Sequence, residues 1–387
     1  MRIAVFICEY PPYGGGGGVA AQAIVRELQT SHAFTVFTSA MRDCSTHEVD
    51  GNIEIVRVPS ICRKRRTNAT LLELLSYWPA SEYRGNQYFR RTAFDLIHSH
   101  FVVPSAVGAD RLAQRFGLPH IVSIHGGDVY DPSKTLSPHR VPVLRRMIGR
   151  ILGRATRVVA QSRDMRDRVL KLYANDRAVD VIPLGVPSAC GDASARGPID
   201  GPGTRVVTVG RLVRRKAIES LLVVIAAIRR WSLPATELLV IGDGPERHGL
   251  EAFARQLRLD QAVTFMGFVD DATKARVLAS ADLYASTSMH EGFGLSLVEA
   301  MQNGLPIVAY DTGGHLDFVV HGLHGLIVPG GALAAFAAAV VRGLTDAEFR
   351  KRCRDHGPVA AGALSVSACA EKYHALYERA VTARGGA

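Results

Sequence analysis

Two glutamates eight positions apart, Glu291 and Glu299, enclose a turn that contains the glycines Gly292 and Gly294. Glycine lets the backbone approach a ligand closely, so its amide groups can point at an anion. A carboxylate accepts hydrogen bonds in pairs, and each glutamate therefore suits the vicinal hydroxyls of a sugar or a ribose. The segment 290–301 predicts a loop that binds both the phosphate and the hydroxyls of a nucleotide sugar.

Glu299 also fits a second interpretation. The run from Ser296 to Glu299 has the pattern of a capping box, in which the glutamate accepts a hydrogen bond from the amide at the helix start. A capping box explains Glu299 without a ligand, but it requires neither Glu291 nor the Gly-Phe-Gly turn. The two glutamates together favour ligand binding.

Glycines and polar residues follow strand candidates in the first half of the chain. The run Gly14–Gly18 comes after the strand Ile3–Ile7 and before a helix expected to begin near Val19. A glycine-rich turn at a helix N-terminus suits an anion, although a surface loop is the alternative. His125 and Asp128 follow another strand, at the edge where open parallel sheets bind ligands. The alternatives are a buried histidine in the core and an aspartate that caps the following helix.

Basic residues follow the first strand of the second half. An arginine, Arg211, forks around two phosphate oxygens, and Lys216 adds a compact charge, so the two can neutralise a diphosphate. Arg214 and Arg215, which lie between them, are interpreted as a solvated basic turn.

These residues require strands and helices that bring them to one edge of a sheet. Short apolar runs alternate with amphipathic stretches, as is typical of parallel βαβ architecture, and the alternation restarts after a segment rich in Gly, Ala, Ser, Asp and Pro. We expect an α/β chain with two Rossmann-like domains. The expected boundaries are 1–186, a linker at 187–203, 204–365, and a C-terminal helix at 366–387.

Taken together, the motifs resemble the signature of the large retaining glycosyltransferase family typified by bacterial sucrose and mannosyl transferases. They occur in the family's order and at its approximate spacing: Gly14–Gly18, His125–Asp128, Gly210–Arg211 with Lys216, Gly242–Pro245 and His290–Met301. The resemblance implies the GT-B fold, in which two Rossmann-like domains face each other across a cleft and the last helix packs back on the first domain. It also implies an N-terminal domain for the acceptor and a C-terminal domain for the nucleotide sugar, with UDP the most frequent nucleotide.

The resemblance further implies a role for each matching residue. It assigns the donor to Gly15, Gly16, Arg211, Lys216, Gly267, Phe268, Glu291, Phe293, Gly294, Leu295, Ser296 and Glu299. It assigns catalysis to His125, Glu291, Arg211 and Lys216. Asp128 and His100 are the candidates for the acceptor, and His98 and His100 are interpreted as residues of the cleft edge or the core rather than as a metal pair. Glu299 is implied as the ribose ligand and Glu291 as the ligand of the donor sugar.

The length and composition of the chain limit the classes of protein to which it can belong. A chain of 387 residues exceeds one usual core, and no apolar run approaches the ~18 residues that cross a bilayer. The N-terminus begins with a strand and has no signal-peptide pattern, so we expect a cytoplasmic protein. Six cysteines without a Cys-x-x-Cys pair indicate reduced thiols and no zinc site. The sequence contains no Asp-x-Asp motif, so neither a catalytic metal nor a cofactor beyond the donor is expected.

The charge of the chain is strongly basic, with a net +10, and favours anionic partners. Arginines concentrate at Arg63–Arg66 and in the stretch 140–157, where they alternate with apolar residues. That stretch predicts either a helix that docks on an anionic membrane, serving a lipid-linked glycan, or an ordinary surface helix, with a soluble sugar or cyclitol acceptor. A different class is a nucleotide-sugar or nucleic-acid binder without turnover, although no nucleic-acid motif accompanies the charge. The sequence carries no signal for the oligomeric state.

Overall fold

The computed structural model describes residues 1–12, 14–40, 44–59, 71–134, 136–173, 178–187 and 204–385. The basic cluster Arg63–Arg66 and the predicted linker beyond Pro187 lie outside the described residues. The chain divides into two compact units. Unit 1 comprises Met1–Gly185 together with Val366–Ala387, and unit 2 comprises Val186–Ser365.

Unit 1 is built on a sheet that, in the described residues, has eight strands in the order β3-β4-β2-β1-β5-β6-β7-β8. Its strands are β1 Arg2–Ile7, β2 Ala33–Ser39, β3 His47–Asp50, β4 Ile53–Val58, β5 Leu96–His100, β6 His120–Ser123, β7 Arg157–Ala160 and β8 Val179–Val181. The pairs are parallel except β3 with β4, which is antiparallel. The central strands are apolar runs buried on both faces, as a parallel sheet covered by helices requires.

Helices cover both faces of this sheet. They are α1 Gly16–Leu28, α2 Leu71–Phe89, α3 Val107–Phe116, α4 Pro142–Arg154, α5 Arg163–Tyr173 and α12 Val366–Gly385. The prediction that α1 begins near Val19 was wrong, because Gly16 to Gly18 form its first turn. A Cβ at Gly18 would lie 2.4 Å from the carbonyl oxygen of Glu9, and one at Gly17 would lie 2.8 Å from the ring of His125. Close packing therefore requires glycine here and overrides its low helix propensity.

The last helix, α12, is part of the core of unit 1. The side chains of Tyr373 and Tyr377 are completely buried. The Tyr377 hydroxyl lies 2.8 Å from His98 Nδ1, and the Tyr373 hydroxyl lies 2.9 Å from the Ser123 hydroxyl. Hydrogen bonds in a low-dielectric interior hold this helix against β5 and β6. They also place His98 in the core of unit 1.

Unit 2 repeats the same architecture with a six-stranded sheet among its described residues, in the order β11-β10-β9-β12-β13-β14. Its strands are β9 Arg205–Val209, β10 Glu237–Ile241, β11 Val263–Gly267, β12 Leu283–Ser286, β13 Ile307–Tyr310 and β14 Gly325–Val328. Its helices are α6 Ile218–Trp231, α7 Arg247–Gln256, α8 Asp271–Ser280, α9 Leu295–Gln302, α10 Leu333–Thr345 and α11 Ala347–Gly362. The strand pairs recorded in this sheet are parallel. The predicted α/β class with two Rossmann-like domains is confirmed.

None of the helices among the described residues combines the length and the apolar composition that spanning a bilayer requires.

Candidate active site

The glycine turn after β12 starts a helix in unit 2. Gly294 occupies the N-cap of α9 with φ +103°, a left-handed conformation that favours glycine. The capping-box interpretation was wrong, because the N-cap is Gly294 and α9 begins at Leu295, one residue before Ser296. The Ser296 hydroxyl lies inside the helix and accepts a hydrogen bond from the Tyr284 hydroxyl at 2.7 Å. Glu299 is the fifth helical residue, and its Oε1 accepts from Lys274 Nζ at 2.7 Å.

Glu291 and Lys216 form a buried ion pair in unit 2. Lys216 ends the short 3₁₀ helix Arg214–Lys216, and its backbone carbonyl accepts from the Thr287 hydroxyl at 3.1 Å. The Ser288 hydroxyl donates to Glu291 Oε1 at 2.7 Å. Burial alone raises the pKa of Glu291, but Lys216, Arg215 and these hydrogen bonds outweigh it and lower that pKa from 4.5 to about 2. Glu291 is therefore ionised at neutral pH.

The prediction that Arg215 belongs to a solvated turn was wrong. Its side chain is half-buried, and its charge contributes to the low pKa of Glu291. Its carbonyl accepts from the Met289 amide at 2.7 Å, which ties the basic turn to the loop that carries Glu291. Arg211 and Arg214 are exposed.

Two backbone turns at the carboxyl ends of β9 and β10 approach each other very closely. Gly242 has φ +131°, and a Cβ on it would lie 2.0 Å from the carbonyl oxygen of Gly210. A Cβ on Gly210 would lie 3.0 Å from Lys216 Cε. Glycine at both positions leaves room for the lysine stem on its way to Glu291.

The segment that follows β11 presents an aromatic ring. Gly267 has φ +69°, and a Cβ there would meet the guanidinium of Arg247 at 2.8 Å. The next residue, Phe268, is 71% exposed. An exposed aromatic ring offers a flat surface for stacking.

The loop after β6 forms the corresponding region of unit 1. Asp128 accepts from the amides of Val102 at 2.8 Å and His125 at 3.0 Å. Burial raises its pKa to about 6, although these amide bonds oppose the shift. The predicted alternative, a helix cap, was wrong, because the next helical element among the described residues is the 3₁₀ helix Pro138–Arg140. Asp128 instead ties the loop that carries His125 to the segment after β5.

The ring of His125 is held at both nitrogens. Its Nδ1 lies 2.5 Å from Gln161 Nε2, and its Nε2 lies 3.0 Å from His100 Nδ1. The ring also lies against Phe101, at 4.3 Å between centroids and with the two ring planes tilted by 35°. Burial lowers the pKa of His125 and of His100, so both imidazoles are neutral at pH 7. Gly15, another predicted site residue of unit 1, donates its amide hydrogen to Glu9 Oε2 at 3.2 Å.

The sequence matches known families over nearly its whole length. Residues 15–185 match the glycosyl transferase 4-like domain, and residues 192–359 match the glycosyl transferases group 1. A D-inositol 3-phosphate glycosyltransferase from Segniliparus rotundus is 31% identical over 306 residues, which are 76% of this chain and 67% of that protein. This chain belongs to the group 1 glycosyltransferase family. It spans about two thirds or less of several curated relatives, from 60% to 67% for four of them.

Solved structures share the fold of this glycosyltransferase family member. Sucrose-phosphate synthase from Thermosynechococcus elongatus superposes with a TM-score of 0.87 at 24% identity, over 99% of this chain and 100% of the other. Anabaena HepE in complex with UDP-glucose gives a TM-score of 0.74 at 20% identity, over 98% and 100%. These likenesses show that the chain has the GT-B fold.

Unit 2 of this glycosyltransferase family member brings several predicted site residues together. The Tyr284 hydroxyl donates to Ser296, and its pKa is raised by burial first and, to a smaller extent, by the charges of both Glu291 and Glu299. Unit 1 separately brings together three predicted site residues, His100, His125 and Asp128. Among the described residues, no group of three or more His, Cys, Asp or Glu side chains is arranged to hold a metal ion.

Sequence reasoning missed the residues that hold the predicted ones in place. They are Gln161 beside His125, Ser288 and Arg215 beside Glu291, and Lys274 beside Glu299. Only Ser288 lies near its partner in the sequence, three positions before Glu291, and no motif marks it. The others are contacts between distant segments, which local spacing does not report.

Proposed function

We propose that this chain is a retaining glycosyltransferase that moves a hexosyl-type sugar from UDP to a hydroxyl of a sugar or cyclitol acceptor. The observation that carries the proposal is the buried Lys216–Glu291 pair directly before the Gly-Phe-Gly turn and the N-terminus of α9. Glu291, with the ammonium of Lys216 paired to it, therefore lies just before the amides that start α9. An ammonium and helix amides suit a diphosphate, and a carboxylate suits sugar hydroxyls.

Unit 2 would bind the donor in this proposal. The diphosphate is expected at Arg211, Lys216 and the amides of Phe293 to Ser296, and the donor sugar at Glu291. Glu291 balances the charge of Lys216, so the lysine does not lie unpaired in a buried site. UDP is proposed as the nucleotide, and the UDP-glucose complex of HepE, which shares the fold, supports it.

The chemical step needs no covalent intermediate on the protein. The acceptor oxygen attacks the anomeric carbon on the face from which the diphosphate leaves, so the carbon–phosphate-oxygen bond breaks and a carbon–acceptor-oxygen bond forms with retained configuration. The acceptor proton passes to a leaving phosphate oxygen. Lys216, Arg211 and the α9 amides stabilise the negative charge on the departing diphosphate. Catalysis then comes mainly from positioning of the substrates and from electrostatic stabilisation. No metal ion is required in this scheme.

Unit 1 would bind the acceptor. His125 is neutral and held at both nitrogens, so its proposed role is to shape the site rather than to carry a full charge. Asp128 and His100 are proposed at the acceptor. The acceptor class rests on the relative from Segniliparus rotundus, whose name specifies an inositol phosphate.

A turnover assay tests the proposal directly. Purified chain is incubated with UDP-glucose and a panel of cyclitol phosphates, cyclitols and sugar phosphates, and released UDP is measured. We expect UDP release that depends on an acceptor, with an α-linked product by NMR. Glu291→Ala should lower turnover severely, whereas Glu237→Ala, which removes a surface carboxylate paired with Arg205, should not.

Two results contradict the enzyme proposal. Glu291→Ala that turns over like the wild type removes Glu291 from the donor site. UDP-sugar that binds and is never consumed with any acceptor favours the alternative of a nucleotide-sugar-binding protein without turnover. A product with inverted configuration contradicts the retaining mechanism alone.

We also propose a peripheral contact with anionic membrane through α4. The helix carries exposed arginines and no acidic residue, and the apolar side chains of Leu136 and Val143 are each 75% exposed beside them. Exposed apolar groups next to arginines suit a negatively charged lipid surface. Sedimentation with phosphatidylglycerol vesicles should exceed that with phosphatidylcholine and fall in Val143→Ser. Equal sedimentation with both lipids supports the alternative, an ordinary surface helix.

A further inference from the structure

Lys274 on α8 holds the carboxylate of Glu299 on α9. Its Nζ lies 2.7 Å from Glu299 Oε1 and 3.0 Å from Asp271 Oδ1. The side chains of Lys274 and Glu299 are only 24% and 21% exposed, whereas Asp271 is 93% exposed. The contact with Glu299 is therefore the sheltered one, and screening by water weakens the contact with Asp271.

The charge state of Glu299 depends on this lysine. Burial raises the pKa of Glu299, and Asp271, which is also anionic, acts in the same direction. Lys274, the cation beside Glu299, lowers that pKa and so opposes the effects of burial and of Asp271. The hydroxyl of Tyr284 on β12 is also close to Glu299. Without the lysine, burial and Asp271 would both favour the neutral acid, which donates one hydrogen bond and accepts less well.

The geometry also leaves one carboxylate oxygen for a ligand. Lys274 contacts Oε1, and Oε2 has no hydrogen-bond partner among the described residues. The helix that carries Lys274 is fixed at its start, where Asp270 accepts from the Thr273 amide at 2.6 Å. That start comes directly after the predicted nucleobase segment at Gly267 and Phe268.

We propose that Lys274 is a positioning residue for the ribose of the nucleotide: it keeps Glu299 ionised and turned so that Oε2 accepts hydrogen bonds from the ribose hydroxyls. The proposal rests on the proposed function, in which Glu299 is the ribose ligand. One short helix, α8, then links the nucleobase segment to the ribose ligand. Selectivity for a ribonucleotide becomes a property of the pair and not of the glutamate alone.

Paired ligands isolate the ribose contact. Binding of UDP and of 2′,3′-dideoxy-UDP is measured by calorimetry at pH 6, 7 and 8 for the wild type and for Lys274→Met. We expect the wild type to prefer UDP by roughly 10- to 100-fold at each pH, because a hydrogen bond to a charged group is worth that ratio. In Lys274→Met the preference should fall at every pH, and it should fall most at pH 6, because loss of the cation favours the neutral form of Glu299.

Two further variants separate positioning from a general loss of structure. Lys274→Arg keeps a cation within reach and should retain most of the preference. Lys351→Met removes a lysine that pairs with Asp355 at the surface of α11 in the same unit, and it should leave the preference unchanged. Melting temperatures of all variants report whether each one is folded.

Several results would overturn the proposal or the function on which it rests. A preference that Lys274→Met leaves unchanged at every pH overturns the proposal. Tighter UDP binding in Lys274→Met also overturns it, because the lysine then competes with the ribose for Glu299. If Lys274→Met is not folded, the pH profile of Lys274→Gln decides by the same criterion. If the wild type binds UDP without preferring it over the dideoxy analogue, the assignment of Glu299 to the ribose is contradicted. If the wild type binds no nucleotide, the proposed function itself is contradicted.

Discussion

Breaking the Lys216–Glu291 pair from one side should destabilise unit 2 strongly. Lys216→Met leaves the carboxylate of Glu291 buried without its lysine, and both partners are largely withdrawn from water, at 13% and 8% exposure. Removing one partner of a buried ion pair costs about 3–5 kcal/mol, because the other charge stays desolvated. The pKa of Glu291, lowered from 4.5 to about 2, gives a similar value of about 3 kcal/mol at about 1.4 kcal/mol per unit.

The double variant Lys216→Met with Glu291→Gln separates stability from function. It removes both charges and keeps a hydrogen-bond acceptor for Ser288, so we expect it to recover most of the loss. The free energy of unfolding of Lys216→Met, Glu291→Gln, the double variant and the wild type is measured by urea at pH 7. Turnover should be lost in all three, because both residues are placed at the donor.

Two outcomes refute this reasoning. One is a loss below about 1 kcal/mol in both single variants, which a surface ion pair would give. The other is a double variant whose loss equals the sum of the single losses, because additive losses indicate that the two charges do not interact.

The same pair predicts an acid limit to stability. A carboxyl whose pKa is lower in the folded chain than in the unfolded chain stabilises the fold above the unfolded pKa, and this stabilisation is lost as the pH falls through the folded pKa. For Glu291 the window runs from about 4.5 down to about 2. The wild type should lose more stability across that window than Glu291→Gln, and equal slopes in acid titrations would contradict the depressed pKa.

Three further predictions follow from other contacts. Gly242→Ala places a Cβ 2.0 Å from the Gly210 carbonyl oxygen and should destabilise unit 2 by at least about 1–2 kcal/mol; an unchanged melting temperature contradicts the close approach. The pKa of Asp128 is raised to about 6, so its stabilising effect is complete below its ordinary value of 3.8 and is lost as the pH rises to 6; a carboxyl NMR titration with a midpoint under 4 refutes this. Gln161→Leu leaves His125 Nδ1 buried without its partner and should cost unit 1 about 1–3 kcal/mol in urea melts, and no loss contradicts the hydrogen bond.

The sequence predicted the parallel strands well because their signal is local. Apolar runs such as Gly325–Val328 and Arg157–Ala160 are buried strands in the structure. The strand His47–Asp50 was missed because it is short, polar and mostly exposed, so no apolar pattern marks it. The start of α1 was placed too late, because the reason for glycine at 17 and 18 is packing against the ring of His125 and the carbonyl of Glu9, which a local pattern does not show.

The candidate site was predictable only in part for a similar reason. The spacing of Glu291 and Glu299 and the Gly-Phe-Gly turn between them are visible in one segment. The partner of Glu291 lies 75 positions away and that of Glu299 lies 25 away, so neither ion pair appears in a local pattern. Arg215 was interpreted as solvated because it lies in a run of basic residues, whereas its burial depends on the loop of unit 2 that folds against it.

The most direct test of the central claim, that unit 2 binds a nucleoside diphosphate, is thermal stability with UDP, GDP, ADP and TDP, beside Glu299→Ala. A ligand at 100 times its dissociation constant stabilises the fold by about 2.7 kcal/mol. We predict that UDP raises the melting temperature of the wild type and that Glu299→Ala loses the shift. No shift with any of the four nucleotides at millimolar concentration, or an equal shift in Glu299→Ala, would contradict the account.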